Sequence, residues 1–185
     1  MTSSCTISIP VPSWVCQRDG ECIGGDANRM RFLVDLARRN VEEERGGPFA
    51  AGVFNMDTGT LCAAGVNAVA LSCCSTAHAE MIALMRAQAA VAAPRLDQCG
   101  RYALYCTAQP CSMCYGGLFW AGVSRLVFGA RRQDIERIIG FDEGPIPPSW
   151  KRELGKRGIS DQGGVLRSEC CEVLRLFTRS NAPLY

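Results

Sequence analysis

The strongest constraint on the fold of this chain is a pair of short motifs that must meet in space. His78, the only histidine among the 185 residues, forms an H-x-E motif with Glu80, and Pro110, Cys111 and Cys114 form a later P-C-x-x-C motif. One imidazole and two thiolates are donors that Zn²⁺ prefers, and three protein ligands leave one tetrahedral position open for water. We therefore expect the fold to bring His78, Cys111 and Cys114 to a single zinc ion.

The hydrophobic pattern predicts helices that alternate with strands. Apolar residues recur every three or four positions in the predicted helices, whereas the predicted strands are short apolar runs. The expected elements are a helix over 29–45, strands over 49–54 and 61–66, a helix over 77–90, a strand over 102–106, a helix over 110–121, a strand over 126–128, and short helices over 150–157 and 169–179. Strands separated by helices indicate an α/β protein with a partly parallel sheet covered on both faces.

Both motifs lie at predicted helix starts, where ligands of such sheets bind. Cys111 and Cys114 are separated by three positions, so their side chains share one face of a helix. The positive end of the helix dipole favours the thiolate form there. His78 and Glu80 are separated by two positions and can share a pocket only at the irregular mouth of a helix. Glu80 is therefore expected beside the metal, as a proton carrier rather than a ligand.

Composition and charge predict a single cytoplasmic domain. The 48% of hydrophobic residues suits a folded core, and the net charge of +2 without a long basic run argues against a nucleic-acid partner. No apolar stretch reaches the ~18 residues of a membrane span, and the N-terminus lacks a signal-peptide pattern. Residues 1–25 are predicted to be an irregular extension and residues 26–185 the zinc-binding domain. Ten of the twelve cysteines lie outside the metal motif, and we expect most of them to be reduced, buried and apolar in role.

Beyond the metal motif, the chain resembles the guanine deaminases of the cytidine deaminase superfamily. The H-x-E and P-C-x-x-C pair is the pattern of zinc-dependent nucleobase deaminases. The resemblance also includes Gly46-Gly47-Pro48-Phe49, Gly65-Val66-Asn67, Leu118-Phe119-Trp120-Ala121, Gly140-Phe141-Asp142-Glu143 and the terminal Tyr185. It implies a three-layer α/β/α fold with a mixed, central five-stranded sheet and one zinc ion per chain. It also implies a homodimer in which the C-terminal segment crosses to the partner.

The resemblance assigns a role to each candidate site residue. Glu80 would carry a proton from the zinc-bound water to a ring nitrogen. Glu143 would be the second acid, acting on the leaving amino group, with Asp142 as the alternative; the family has aspartate where this chain has Glu143. Asn67 would hydrogen-bond the purine. The other residues expected to contact the substrate are Phe49, Ala79 and Trp120, together with Tyr185, which would close the site of the partner subunit.

The predicted reaction is hydrolytic deamination of guanine to xanthine and ammonia, with zinc-bound hydroxide attacking C2. Alternative substrates are an amino-triazine such as ammeline, adenosine in transfer RNA, and cytidine or cytosine. An alternative from a different class is a non-enzymatic binding module in which the zinc is purely structural. Such a site would need a fourth cysteine ligand, Cys106 or Cys74, and would not need His78.

Overall fold

A computed structural model describes residues 7–180 of the chain. The strands are β1 (Ala50–Asn55), β2 (Leu61–Val66), β3 (Tyr102–Ala108), β4 (Arg125–Ala130) and β5 (Ser160–Gly163). The helices are α1 (Asp26–Glu42), α2 (Val69–Ser72), α3 (Ala79–Val91), α4 (Ser112–Ala121), α5 (Arg132–Ile139), α6 (Trp150–Gly155) and α7 (Arg167–Phe177). No helix within this part of the chain is both long and apolar enough to span a membrane.

The strands form one mixed sheet in the order β2-β1-β3-β4-β5. β1 pairs antiparallel with β2 and β3, whereas β3, β4 and β5 run parallel. Buried side chains of α1, α5 and α7 form the core on one face, and those of α3 and α4 form the core on the other. The predicted three-layer α/β/α fold with a mixed five-stranded sheet is confirmed.

The predicted elements match the structure well before residue 130, and after it the helices predicted over 150–157 and 169–179 are found as α6 and α7. The hairpin strand 61–66 is exact, and the helix over 29–45 begins three residues earlier, at Asp26. Helix α5 and strand β5 were not predicted. Strand β5 reads Ser-Asp-Gln-Gly, is largely exposed, and joins the sheet through backbone pairing with β4. A polar edge strand of this kind carries no hydrophobic alternation from which it could be recognised.

The described part of the N-terminal extension packs against the domain. Trp14, Val15 and Ile23 are buried in the core beside α1. The backbone of residues 20–23 pairs with the start of β2: Gly20 N donates to Leu61 O at 2.8 Å, and Leu61 N donates to Glu21 O at 2.8 Å. This segment therefore covers the first residue of β2 and the turn before it.

The eleven described cysteines are free thiols, and five of them are buried. Outside the metal motif only Cys106, Cys170 and Cys171 are buried, whereas Cys22, Cys73 and Cys99 are exposed. The expectation that most of these cysteines are buried is wrong. Several lie in loops that follow helices or join the extension to the sheet, where the chain is at the surface.

Candidate metal centre and active site

The two motifs meet at the starts of α3 and α4. His78 is the N-cap residue of α3 and Cys111 the N-cap residue of α4, both in extended conformation. The Cys111 and Cys114 sulfurs lie 3.5 and 3.6 Å from His78 Nδ1. One donor atom from each of these residues lies within 4.8 Å of the other two, as a shared metal ion requires.

A glycine on β2 allows α3 to approach the sheet closely enough for this meeting. A Cβ at Gly65 would lie 2.5 Å from Ala79 O and 2.8 Å from Ala83 N, distances that real side chains do not reach. The first turn of α3 therefore packs directly on the β2 backbone. Ala79, predicted to contact the substrate, is fully buried in this packing.

The electrostatics of the cluster suit a cation. A hydrogen bond from Cys114, together with His78, lowers the pKa of Cys111 to about 4 despite partial burial. The hydrogen bond to Cys111 and burial raise the pKa of Cys114. Burial opposes protonation of His78, but Cys111 and Glu80 outweigh it and raise its pKa. A buried thiolate beside a second thiol and an imidazole is a donor set that fits zinc.

Two carboxyl groups flank the metal ligands in a nearly dry environment. Glu80 lies in the first turn of α3 and is buried, and burial followed by the nearby Cys111 raises its pKa. Glu143 lies in the loop after α5 and is 5% exposed. Burial, followed by the charges of Glu80 and Cys111, raises its pKa to about 8. Two buried carboxyl groups with raised pKa values beside a donor cluster are suited to proton transfer.

The loop that carries Glu143 is tied to the metal-binding helix. Ser112 N, in the first turn of α4, donates to the backbone oxygen of Glu143 at 3.0 Å. Asp142 points outward: its carboxylate accepts from Gly144 N at 2.9 Å and lies 3.7 Å from Arg132. The geometry therefore directs Glu143 inward and leaves Asp142 at the rim.

A narrow cleft leads to the ligands. Its inner part is lined by Phe49, His78, Glu80, Ala108, Gln109, Cys111, Phe141 and Glu143. Its outer part shares four of these residues and continues along Ser75, Ser112, Met113, Asp142 and Gly144. Phe49 lines this inner part, and its contact with a base stays a prediction. Gln109 and Phe141 were not predicted as lining residues, although Phe141 belongs to the Gly-Phe-Asp-Glu motif that could have indicated it.

Asn67, at the end of β2, lies behind Phe49. Its backbone N donates to Phe49 O at 3.0 Å, and its side-chain oxygen accepts from Gly47 N at 3.2 Å. The residue is buried and is hydrogen-bonded to the loop that precedes β1, but it is not among the described residues that line the cleft.

Two other predicted residues lie elsewhere or cannot be placed. Trp120 is 78% exposed near the end of α4. It borders a separate groove of about 360 Å³ with Phe119 and Arg157, away from the ligands. Within this chain the structure does not bring Trp120 to the cleft. Tyr185 lies outside the described residues.

A four-ligand structural zinc site finds no support among the described residues. Within residues 7–180, His78, Cys111 and Cys114 are the only group of three or more His, Cys, Asp or Glu residues that could hold a metal ion. Cys106 and Cys74 are not part of it. An arrangement of three protein donors beside a cleft matches a catalytic rather than a closed structural site.

Comparison with known proteins also indicates a zinc-binding site of the deaminase kind. The model of the cytidine and deoxycytidylate deaminase zinc-binding region matches residues 25–130. The chain is 36% identical over 130 residues to guanine deaminase of Bacillus subtilis (strain 168), covering 70% of this chain and 80% of that protein. It is 31% identical over 155 residues to the tRNA-specific adenosine deaminase of Buchnera aphidicola subsp. Schizaphis graminum, covering 83% and 97%.

Structural comparison extends the likeness to almost the whole chain. A solved structure of guanine deaminase from Nitrosomonas europaea superposes with a TM-score of 0.89 at 40% identity, covering 94% of this chain and 97% of that one. The chain therefore belongs to the cytidine and deoxycytidylate deaminase family of zinc-binding proteins, and within it is similar to guanine deaminases.

Proposed function

We propose that this protein is a zinc-dependent guanine deaminase, which converts guanine and water to xanthine and ammonia by attack at C2. The observation that carries the proposal is the pair of buried carboxyl groups, Glu80 and Glu143, beside the His78, Cys111 and Cys114 donors in one cleft. The 40% identity to a guanine deaminase over nearly the full chain supports the choice of substrate.

His78, Cys111 and Cys114 would hold one zinc ion per chain. Bound there, zinc would act as a Lewis acid that lowers the pKa of water to about 7 and makes it a nucleophile at neutral pH. The protein supplies the remaining chemistry, which consists of proton transfer and orientation of the base.

Glu80 is the proposed proton carrier for the attack. Its carboxyl group is buried, and its pKa is raised, so it accepts a proton from the attacking water readily. It then delivers that proton to the ring nitrogen next to C2, which removes negative charge from the ring as the carbon becomes tetrahedral. A positioned acid or base of this kind contributes roughly 10²–10⁴ in rate.

Glu143 is the proposed acid for the departing amino group. Because its pKa is about 8, it carries a proton at neutral pH and can donate it to nitrogen as the C–N bond breaks. The hydrogen bond between Ser112 N and Glu143 O fixes the backbone from which this side chain reaches the cleft.

Phe49 and Asn67 are the proposed contacts to the base. Phe49 offers a flat apolar surface in the cleft, and Asn67 offers hydrogen bonds next to it. Contacts of the substrate with three other residues also stay proposals. Ala79 is buried, Asp142 lies at the rim, and Trp120 is exposed outside the cleft.

We also propose a homodimer whose C-terminal segment, ending in Tyr185, completes the site of the partner. The exposure of Trp120 supports a partner surface near α4. We further propose that the enzyme works in the cytoplasm on a free base, because its described cysteines are free thiols and its charge is nearly balanced.

The test is ammonia release by the purified, zinc-loaded protein. Guanine is supplied as the free base, and Glu80→Gln serves as a control that keeps the size of the side chain. Parallel reactions contain ammeline, cytosine, cytidine and transfer RNA. Release from guanine by the wild type alone supports the proposal, whereas release only from transfer RNA or from another base contradicts the assigned substrate.

A further inference from the structure

Asn40 is a buried polar residue that the proposed mechanism does not use. It lies in the last part of α1, and only 1% of its surface is exposed. Its side-chain Nδ2 donates to two backbone oxygens, those of Gly47 and Asn67, each at 3.0 Å. One side chain therefore links α1 to the loop before β1 and to the end of β2.

The two segments that Asn40 joins are in direct contact. A Cβ at Gly46 would lie 2.2 Å from Asn67 O and 3.2 Å from Asn40 Nδ2. Only glycine allows the backbone to approach this closely. The Asn40 amide, the Gly46-Gly47 turn and the Asn67 backbone thus form one packed unit, which we call the amide clamp.

The amide clamp fixes both proposed base contacts. Gly47 O, which accepts from Asn40, also accepts from Phe49 N at 2.9 Å. Asn67 N in turn donates to Phe49 O at 3.0 Å. Phe49 and Asn67 are therefore connected to each other and to Asn40 through backbone hydrogen bonds.

The clamp also determines which end of the Asn67 amide is left for a ligand. Asn67 Oδ1 accepts from Gly47 N at 3.2 Å and from Val69 N at 3.4 Å. The oxygen is thereby engaged by the protein, and the Nδ2 donors are the part of the amide that can meet a substrate. A substrate must then offer an acceptor to Asn67, either a ring nitrogen or a carbonyl oxygen.

Asn40 has one buried atom without a partner among the described residues, its Oδ1. Rotating the amide would not help, because it would place Oδ1 against the two carbonyl oxygens that Nδ2 now contacts. The two Nδ2 hydrogen bonds nevertheless satisfy the backbone oxygens of Gly47 and Asn67, and they fix the position of both segments relative to α1.

We propose that Asn40 is a positioning residue for base recognition, acting through the amide clamp on Asn67 and Phe49. The inference rests on the proposed function, since it assumes that these two residues contact the substrate. It assigns no proton-transfer or metal-binding role to Asn40.

The test compares Asn40→Leu with Val41→Ala in the zinc-loaded protein. Asn40→Leu keeps the branched shape of the side chain, at a somewhat larger volume, and removes both donors. Val41→Ala loosens the adjacent buried position of α1 without touching the clamp. For Asn40→Leu we expect the KM for guanine and the Kd of the analogue 8-azaguanine to rise about tenfold, as expected for loss of hydrogen bonds that orient a ligand. We expect its kcat to fall less than about threefold and its zinc content to stay unchanged.

A double-mutant cycle with Asn67→Ala tests the route of the effect. If Asn40 acts through Asn67, adding Asn40→Leu to Asn67→Ala raises KM less than it does in the wild type. Unchanged KM and Kd in Asn40→Leu, an equal rise in Val41→Ala, or full additivity in the cycle would each overturn the inference. If Asn40→Leu does not fold, Asn40→Ser is measured instead and judged by the same criteria. Serine is too short to reach both oxygens. Wild-type protein that does not deaminate guanine refutes the proposed function itself, a result seen before any variant is compared.

Discussion

Two buried carboxyl groups near the same end of the sheet have opposite protonation. Asp134, in the first turn of α5, is 2% exposed and accepts two hydrogen bonds from Arg167, each at 2.7 Å. The Arg167 hydrogen bonds lower the pKa of Asp134 to about 2. Glu143, just beyond the same helix, is 5% exposed, yet its pKa is raised to about 8. His78 and Arg132 lower that pKa less than burial and Glu80 raise it.

The difference teaches that burial alone does not identify a catalytic acid. Both carboxyl groups are removed from water, but Asp134 is bonded directly to a cation, whereas Glu143 has the acidic Glu80 and Cys111 nearby. Asp134 joins α5 to α7 as a permanently charged partner. Glu143 faces another carboxyl group across a cleft and keeps its proton. The first is a structural residue and the second a candidate for proton transfer, which predicts opposite effects of neutral substitutions.

The largest effect is expected in the cleft, for Glu80→Gln. Glutamine cannot carry a proton between water and the ring, so kcat for guanine should fall by about 10²–10⁴. Zinc content and the unfolding midpoint should stay near the wild-type values, because glutamine preserves the size of a side chain that is not a ligand. Steady-state kinetics and metal analysis on one preparation check this. Activity close to the wild type would remove Glu80 from the mechanism.

Glu143→Gln should also reduce turnover, by about 10², since a second positioned acid is lost. Although this substitution lowers turnover, it should not lower the stability of the fold. A carboxyl group with a raised pKa destabilises the fold as pH rises from the unfolded value toward about 8, and a neutral amide avoids that loss. Urea unfolding of the metal-free protein at pH 7 should therefore show equal or greater stability. Lower stability with normal kcat would instead indicate that Glu143 is a structural residue.

Asp134→Asn should lower the stability of the fold and leave turnover nearly unchanged. It removes the charge that Arg167 and Arg137 neutralise, and we expect the free energy of unfolding to fall by about 2 kcal/mol, the usual value of charge-assisted hydrogen bonds. The kcat should change less than about threefold, since Asp134 does not line the cleft. A large loss of kcat without loss of stability would place Asp134 among the catalytic groups.

The smallest expected effect is the pH dependence of the stabilisation that Asp134 provides. Because the folded pKa of Asp134 is about 2 and lies below its unfolded value, its stabilisation is present above pH 4 and is lost as pH falls toward 2. The stability difference between wild type and Asp134→Asn should therefore shrink as pH is lowered from 5 to 2. Urea titrations at several pH values measure it, and a difference that is constant over this range would contradict the assigned pKa.

The sequence predicted the metal ligands better than the substrate contacts. His78, Cys111 and Cys114 form a motif whose spacing at two helix starts has few other uses, so the cluster could be expected from residue types alone. The selection of Glu143 over Asp142 depended on a family pattern; in the structure Glu143 is buried in the cleft and Asp142 is exposed at its rim.

Contacts made across the fold could not be predicted. Asn40 reads as an ordinary polar residue of an amphipathic helix, because its partners Gly47 and Asn67 are reached only after the chain has formed the β1–β2 hairpin. Strand β5 is recognisable only by its pairing with β4. Trp120 has the residue type of a base-stacking partner, but its exposure depends on which surfaces the rest of the chain leaves uncovered.

The edges of the sheet restrict how copies of this protein can associate. The segment 20–23 occupies the outward backbone groups of Leu61 at the start of β2, and the opposite side of the sheet ends in the short, polar β5. Both features reduce the length of free edge that a strand of another molecule could join. Loss of residues 20–23 would leave the Leu61 groups unpaired and lengthen that free edge.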